Sequence, residues 1–519
     1  MFLALVVGLA ASSAMIASVA AALIASGGAP AFPSHYHSCT FNFSGTARLP
    51  FAFCNASLPA DVRVADLLSR MTYEEKAASL DTSNPAIERL GVASMQGGEC
   101  THGVAGGCGA AAPGSTGCPT SFPCGTGLGA TFDTDLWTKV GQTIGREARA
   151  LNNQAVPSAA AAGAGAADAR AVPSLHKGKS GIYFLDPNIN LQRDPRWGRS
   201  QEVPGECSHL TAEYAAHFIS GAQFGNDTQD SRFWQTAVTA KHFSMYDMEG
   251  YIPRTSDYTA RVPFASAPSA TADTNGGVER WNFDASPPLS DFVDYYMPPF
   301  KAAVQRAKTA SIMCSYNAAY GKPTCASDEM NNQMVRSDWG WDGFFVSDCT
   351  ALELMQDVKW DNCQPPYSPG NCTPDAFTGG HNYTGWCGDK ACPVNSKEGV
   401  GATVAAALNE GGIDYNCGPL YKTQLYNALQ LGSVTEADID RAAGRIYHTQ
   451  IKLGMLDPAD DQEYQTWGPE LVDNAESRAL SLRAAQESLV SPTLLSRRVS
   501  CDQCLHDSVS CVKTLSQRA

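Results

Sequence analysis

The stretch GFFVSDCTAL at 343–352 decides how the rest of the chain is read. Phe344, Phe345 and Val346 make a short apolar run after a glycine, the pattern of a buried strand. Ser347 and Asp348 follow at once, so the carboxylate stands where the strand leaves the core. In a barrel of parallel strands, that C-terminal rim is where chemistry is carried out.

The pattern recurs. Strand candidates are GVASMQ (91–96), GIYFLDPNIN (181–190), TAVTAKHF (236–243), ASIMCSYN (310–317), GFFVSDC (343–349) and GGIDYNC (411–417). Between them lie helix-length amphipathic segments, at 134–151, 209–224, 289–307 and 435–456. Ahead of them, 61–80 reads as two helical pieces, with Thr72 and Glu75 spaced as a capping box. Strand and helix in alternation predict a mainly parallel sheet with helices outside it.

Most of these strands end in groups able to grip a polyhydroxylated ligand. The second leads to Asp194, Arg196 and Arg199, the third to Lys241 and His242, the fourth to Tyr316 and Asn317, and the fifth to Asp348. Each has an ordinary structural reading as a solvated strand end, a core tyrosine with a wet hydroxyl, or an ion pair. Their repeated placement at strand ends favours a shared site.

The chain has 519 residues, 44% of them hydrophobic, which is ample for a core and for more than one domain. A formal net charge of −15 and the lack of a basic stripe argue against a nucleic-acid partner. Residues 2–24 are apolar and lead to a small-residue cleavage pattern after Ala31, as in a secretory signal; an uncleaved membrane anchor is the alternative. Eighteen cysteines and five sequons, at Asn42, Asn55, Asn226, Asn371 and Asn382, agree with an oxidising, extracellular location. The Ala/Gly-rich 155–174, the polar 251–277 and the cysteine-bearing 359–395 read as insertions. The last is expected to be a disulfide-stapled loop, with a zinc site as the less economical alternative.

PNINLQRDPRWGRSQEVPGE (187–206), KHFSMYDMEG (241–250), SIMCSYNAAYGKPTCA (311–326) and WGWDGFFVSDCTAL (339–352), in this order, resemble glycoside hydrolase family 3, closest to its β-xylosidase branch. ECTHGVA (99–105), SFP (121–123) and 434–457 fit the same branch, and the similarity runs from about 61 to about 490. The resemblance implies a (β/α)8-type barrel with long insertions, with Asp348 as the nucleophile of a retaining mechanism. It further implies that Glu99, Arg199, Lys241, His242, Met313 and Tyr316 bind the substrate sugar. Lys241 and Arg199 are expected to keep Asp348 ionised by lowering its pKa. Cys349 with Cys417, and Cys314 with Cys325, are the disulfides it suggests. The sequence departs from the branch at Gln96–Gly97–Gly98, at Thr350 and at IDYNCG (413–418), positions that bear on xylose against glucose or arabinose.

On this reading the chain divides into a signal or anchor (1–31), an extension (32–60), the barrel (61–457), a linker with the start of a second domain (458–490) and an irregular tail (491–519). At Ser491 the resemblance stops, which predicts that most of the family's second α/β sandwich domain, with its general-acid glutamate, is lacking. A chain so built is expected to favour activated aryl xylosides over xylobiose far more than a complete family member would. The expected function is a secreted, exo-acting β-glycosidase without metal or organic cofactor, acting on small oligosaccharides or aryl glycosides. A catalytically weak sugar-binding barrel is the alternative from another class, and a β-glucosidase or α-L-arabinofuranosidase the alternative within the family.

Overall fold

The computed structural model describes residues 51–82, 84–155, 181–228, 230–249, 280, 283–357, 397–457 and 462–489. The leader at 1–31, nearly all of the three expected insertions and the tail at 491–519 lie outside them, as do the sequons at Asn42, Asn371 and Asn382. Asn55 and Asn226 are described, and both are exposed.

Five strands form one parallel sheet in the order β1 (Tyr183–Phe184), β2 (Ala237–Phe243), β3 (Ser311–Cys314), β4 (Phe344–Ser347) and β5 (Ile413–Tyr415). All seven residues of β2 and all four of β4 are buried, as expected of strands covered on both faces. Gly98 bridges Phe184 of β1 and Asp81 bridges Asn416 just past β5, both in the parallel sense. The segment 81–98 therefore spans the gap between the outer strands, and the sheet is a (β/α)8-type barrel. Tyr183, Phe344 and Tyr415 fill part of its interior, with ring centroids 5.5–6.1 Å apart.

GVASMQ does not form the expected strand. Its Val92 makes only an antiparallel bridge to Ile87, and the Met95 amide donates to the Asn84 side chain. The Met95 carbonyl takes the Tyr415 hydroxyl at 2.9 Å. Side chains satisfy backbone groups that a ladder would otherwise pair.

The helices follow their apolar spacing. α1 (Ala60–Arg70) buries Val64, Leu67 and Leu68, and α2 (Tyr73–Ser79) begins with the expected Thr72–Glu75 capping box. α3 (Thr134–Ala155) and α4 (Ser208–Phe224) approach so closely that a Cβ on Gly221 would lie 2.2 Å from the Thr138 carbonyl oxygen. The expected helix at 289–307 is divided: a π turn, Phe292–Tyr296, precedes α5 (Met297–Gln305), whose first turn holds the prolines. α6 (Lys397–Ala405) and α7 (Leu420–Gln430) flank β5 in sequence. α8 (Glu436–Lys452) stops short of 456 because Gly454 turns at φ 70° and Arg149 takes the Leu453 carbonyl at 2.8 Å. α9 (Ala475–Glu487) closes the described chain. Among the described residues, no helix is long and apolar enough to cross a membrane.

Arg63 ties the beginning of the barrel to its end. Its guanidinium donates to Phe53 O, Leu456 O and both oxygens of Asp457, and both side chains are buried. Breaking a buried pair on one side leaves an uncompensated charge, which costs about 3–5 kcal/mol. Arg232 stays within 3.2 Å of Asp457 and offsets part of that loss. Arg63→Met should therefore lower the unfolding free energy by about 3 kcal/mol, read as a shift in the denaturant midpoint; an unchanged midpoint would contradict this role.

Candidate active site

Asp348 follows β4 directly and is 6% exposed. Its amide donates to Cys314 O at 3.1 Å, and its Oδ1 takes the Cys349 amide at 2.7 Å. Oδ2 is buried and receives no hydrogen bond. Its neighbour is His242 Nε2, at 3.5 Å.

The partners of His242 determine what that approach means. Its Nδ1 and its backbone amide each lie 3.0 Å from Asn190 Oδ1, which can only accept, so Nδ1 carries the ring proton. Nε2 then accepts from Arg199 Nη1 at 3.0 Å. Burial first, then the charges of Arg199, Lys241 and Arg280, hold the imidazole well below its ordinary pKa, and it is neutral. A neutral ring with its Nε2 lone pair occupied gives Asp348 Oδ2 no proton.

Arg199 sits at the start of the short turn Ser200–Glu202, with its fork on Glu202: Nε and Nη2 donate at 2.8 and 2.7 Å. Asn188 supports Glu202 from the other side at 3.0 Å. Lys241, near the end of β2, is 4% exposed. Its Nζ donates to Glu99 at 2.8 Å and lies 3.2 Å from Asp186. Asp186 is fixed by the Cys100 amide and the Thr101 hydroxyl, at 2.5 and 2.8 Å. Burial acts against the Lys241 charge, yet Asp186 and Glu99 together raise its pKa, so it stays protonated. Of the two acids, Glu99 is pushed up, by the desolvation of its carboxyl against Lys241, although the rest of its side chain is half exposed, and then by the Asp186 charge. Asp186 opposes its own burial with Lys241 and stays below the usual range.

Tyr316 donates its hydroxyl to Cys349 O at 2.9 Å and so holds the turn behind Asp348. Arg280 lies 4.5 Å above the Tyr316 ring and donates to Glu249 at 2.6 Å, and Glu249 also takes the Tyr246 hydroxyl. Cys349–Cys417 and Cys314–Cys325 are both formed, as expected, along with Cys108–Cys118. Thr350 occupies the left-handed region at φ 66°, where its amide donates to Cys417 O at 2.7 Å. The rim next to Asp348 is thus fixed from two strands.

Of the expected site residues, Asp348, Arg199, Lys241, His242, Glu99 and Tyr316 form one linked network. Met313 lies in β3 opposite Val346 and belongs to the apolar core. Asp194 and Arg196 instead pair with each other at the surface, and the Asn317 amide is spent on Ser244 O and Ala318 O. The expectation that cations lower the Asp348 pKa is overturned in its net sign. Arg199 and Lys241 do pull it down, but burial outweighs them and the carboxyl titrates above its ordinary value. Sequence reasoning missed Asp186, Asn190, Glu202, Tyr246 and Arg280. Asp186 ends an apolar run, GIYFL, just as Asp348 does, and Glu202 stands three residues after Arg199; both were findable.

Residues 269–364 match the model for the glycosyl hydrolase family 3 N terminal domain. The chain is similar to the probable exo-1,4-beta-xylosidase xlnD of Neosartorya fischeri, 32% identical over 445 residues, covering 85% of this chain and 47% of that protein. It is similar to beta-D-xylosidase 1 of Arabidopsis thaliana, 31% identical over 440 residues, covering 84% and 46%. It therefore spans about half the length of these relatives. A solved structure of a GH3 exo-beta-xylosidase (XlnD) in complex with a xylobiose aziridine activity based probe shares its fold, with a TM-score of 0.63 at 24% identity, over 89% of this chain and 49% of the other. The chain belongs to glycosyl hydrolase family 3 and carries its N-terminal barrel domain.

Proposed function

We propose that this barrel is the sugar-binding and nucleophile-bearing part of a retaining, exo-acting β-glycosidase, and that its substrates are β-xylosides. The observation that carries the reading is Asp348 Oδ2, a buried carboxylate oxygen that no well-aligned hydrogen bond occupies, beside an arginine, a lysine, a neutral histidine and the Tyr316 hydroxyl. A buried carboxylate oxygen that its protein neighbours leave open calls for an explanation. Nucleophilic attack supplies one, because it needs an available lone pair.

In this reading Glu99, Lys241, Arg199 and His242 grip ring hydroxyls, where charged hydrogen bonds are strong and directional. They can tighten as the ring flattens toward an oxocarbenium-like state. Asp348 Oδ2 forms a bond to C1, and the bond from C1 to the leaving oxygen breaks, its electron pair leaving with that oxygen. Water then attacks C1 from the opposite side, releases Asp348 and gives its proton to a base, so the anomeric configuration is retained. The names of the relatives, exo-1,4-beta-xylosidase and beta-D-xylosidase, support xylose as the sugar. Secretion through the 1–31 leader is part of the proposal, and the three disulfides accord with it.

The test is covalent trapping. A dinitrophenyl 2-fluoro-xyloside should inactivate the protein with one sugar attached at Asp348, and Asp348→Asn should lose the label. On dinitrophenyl xyloside, Asp348→Asn should lose about 10⁴-fold or more in turnover, as removal of a nucleophile does elsewhere. A label on another carboxylate would overturn the assignment.

Asp348 must be ionised to attack, so the trapping rate should fall as pH drops through its pKa. Because that pKa is raised, the fall should begin above the 3.8 of an ordinary aspartate. His242 should stay neutral below pH 6.5, where an ordinary histidine gains a proton. Nitrogen NMR of the imidazole should show Nε2 without a proton there; an imidazolium signal would contradict the network.

A further inference from the structure

The Tyr316 hydroxyl has two acceptors within reach. It donates to Cys349 O at 2.9 Å, and it also lies against the Asp348 carboxyl. A phenol has a single O–H to give. Given to Cys349 O, that proton holds the turn after β4 and leaves Asp348 Oδ2 open. Given to Asp348 Oδ2, it would occupy the oxygen that attacks.

The Tyr316 ring is kept in the first arrangement from its outer side. The Arg280 guanidinium covers one face, its Cζ 4.5 Å from the ring centroid, where the negative face of the ring attracts a cation. Glu249 aims that guanidinium: it takes Arg280 Nη1 at 2.6 Å on one oxygen and the Tyr246 hydroxyl on the other. Glu249 itself packs on Gly198, where an added Cβ would lie 3.5 Å from its Cγ. Tyr246 is wholly buried and meets the Tyr316 ring in an edge-to-face contact, with centroids 6.0 Å apart. The Arg280 side chain is 32% exposed, so a substitution there disturbs the rim and spares the core.

We propose that Arg280 is a positioning residue for Asp348 that acts through Tyr316: stacked on the phenol, it keeps the hydroxyl on Cys349 O and so keeps the attacking oxygen free. This rests on the assignment of Asp348 as nucleophile. Without Arg280 one face of the ring is uncovered, and the phenol turns toward the carboxyl. Its hydrogen bond then blocks the Oδ2 lone pair and favours the ionised form of Asp348. The charged and titratable groups that face Asp348 are Arg199, Lys241 and His242 from β2, and Tyr316. Loss of a cation by itself raises a carboxyl's pKa, whereas a new bond from Tyr316 lowers it. The direction of the change therefore separates the two effects.

Trapping of the full chain by a dinitrophenyl 2-fluoro-xyloside, followed against pH, tests this. In Arg280→Met the saturating rate should fall about tenfold or more, the half-saturating concentration should change less than about twofold, and the pH midpoint should move down. Arg280→Lys, which keeps a cation over the ring, should recover part of the rate. In the Tyr316→Phe background, Arg280→Met should change neither rate nor midpoint, because the hydroxyl through which it acts is gone. That double variant also sets aside His242, on which the Arg280 charge acts too. A midpoint that stays or moves up, or the same rate loss in the Tyr316→Phe background, would overturn the role of Arg280 and leave the nucleophile standing. Failure of the unaltered chain to be labelled at Asp348 would overturn both.

Discussion

A protonated lysine in the barrel rim, nearly sealed from solvent, is the constraint from which the site follows. Lys241 cannot be buried charged without opposing charge, and an isolated buried ion costs several kcal/mol. Asp186, whose pKa stays low, supplies that charge at 3.2 Å, and Glu99, pushed up to about 8, adds a hydrogen-bond acceptor at 2.8 Å. These three residues come from the chain after β1, from the segment that bridges β1 at Gly98, and from β2. Satisfying one cation thus fixes three neighbouring segments of the rim relative to one another.

A second layer of pairing rests on the first. Glu202 fixes the Arg199 fork, Arg199 occupies the Nε2 of His242, and Asn190 fixes its Nδ1. What remains is an aspartate whose one oxygen is bound by backbone and whose other is occupied by no well-aligned hydrogen bond. Such a site is preorganised: its dipoles and charges are oriented before any ligand arrives, so little reorganisation is left for the reaction. The raised pKa of Asp348 fits this arrangement, because an oxygen less well solvated than in water has more to gain from a bond to carbon.

Local patterns were the legible part. GFFVSDC is a strand with an acid at its end, and β4 with Asp348 is what the structure contains. The capping box at Thr72 and most helix spans were likewise local matters of spacing and caps. GVASMQ misled because its apolar content suits a strand, while side chains distant in sequence, Tyr415 above all, take its backbone groups. Asp186 went unnoticed because its role depends on Lys241, and such a pairing has no signature in a single sequence. The sign of the Asp348 shift could not be read at all, since it depends on how far burial outweighs the cations. Motif resemblance nominated Glu99, Lys241 and Arg199, and the structure adds the partners that hold them.

The central claim is that these charges orient a sugar with its anomeric carbon at the free oxygen of Asp348. A crystal structure of the chain soaked with xylose tests this most directly. The account predicts the ring between Asp348 and Glu99, with C1 facing Asp348 Oδ2 and the hydroxyls on Lys241 and Arg199. A xylose bound elsewhere, or bound there with C1 turned away from Asp348, would contradict it.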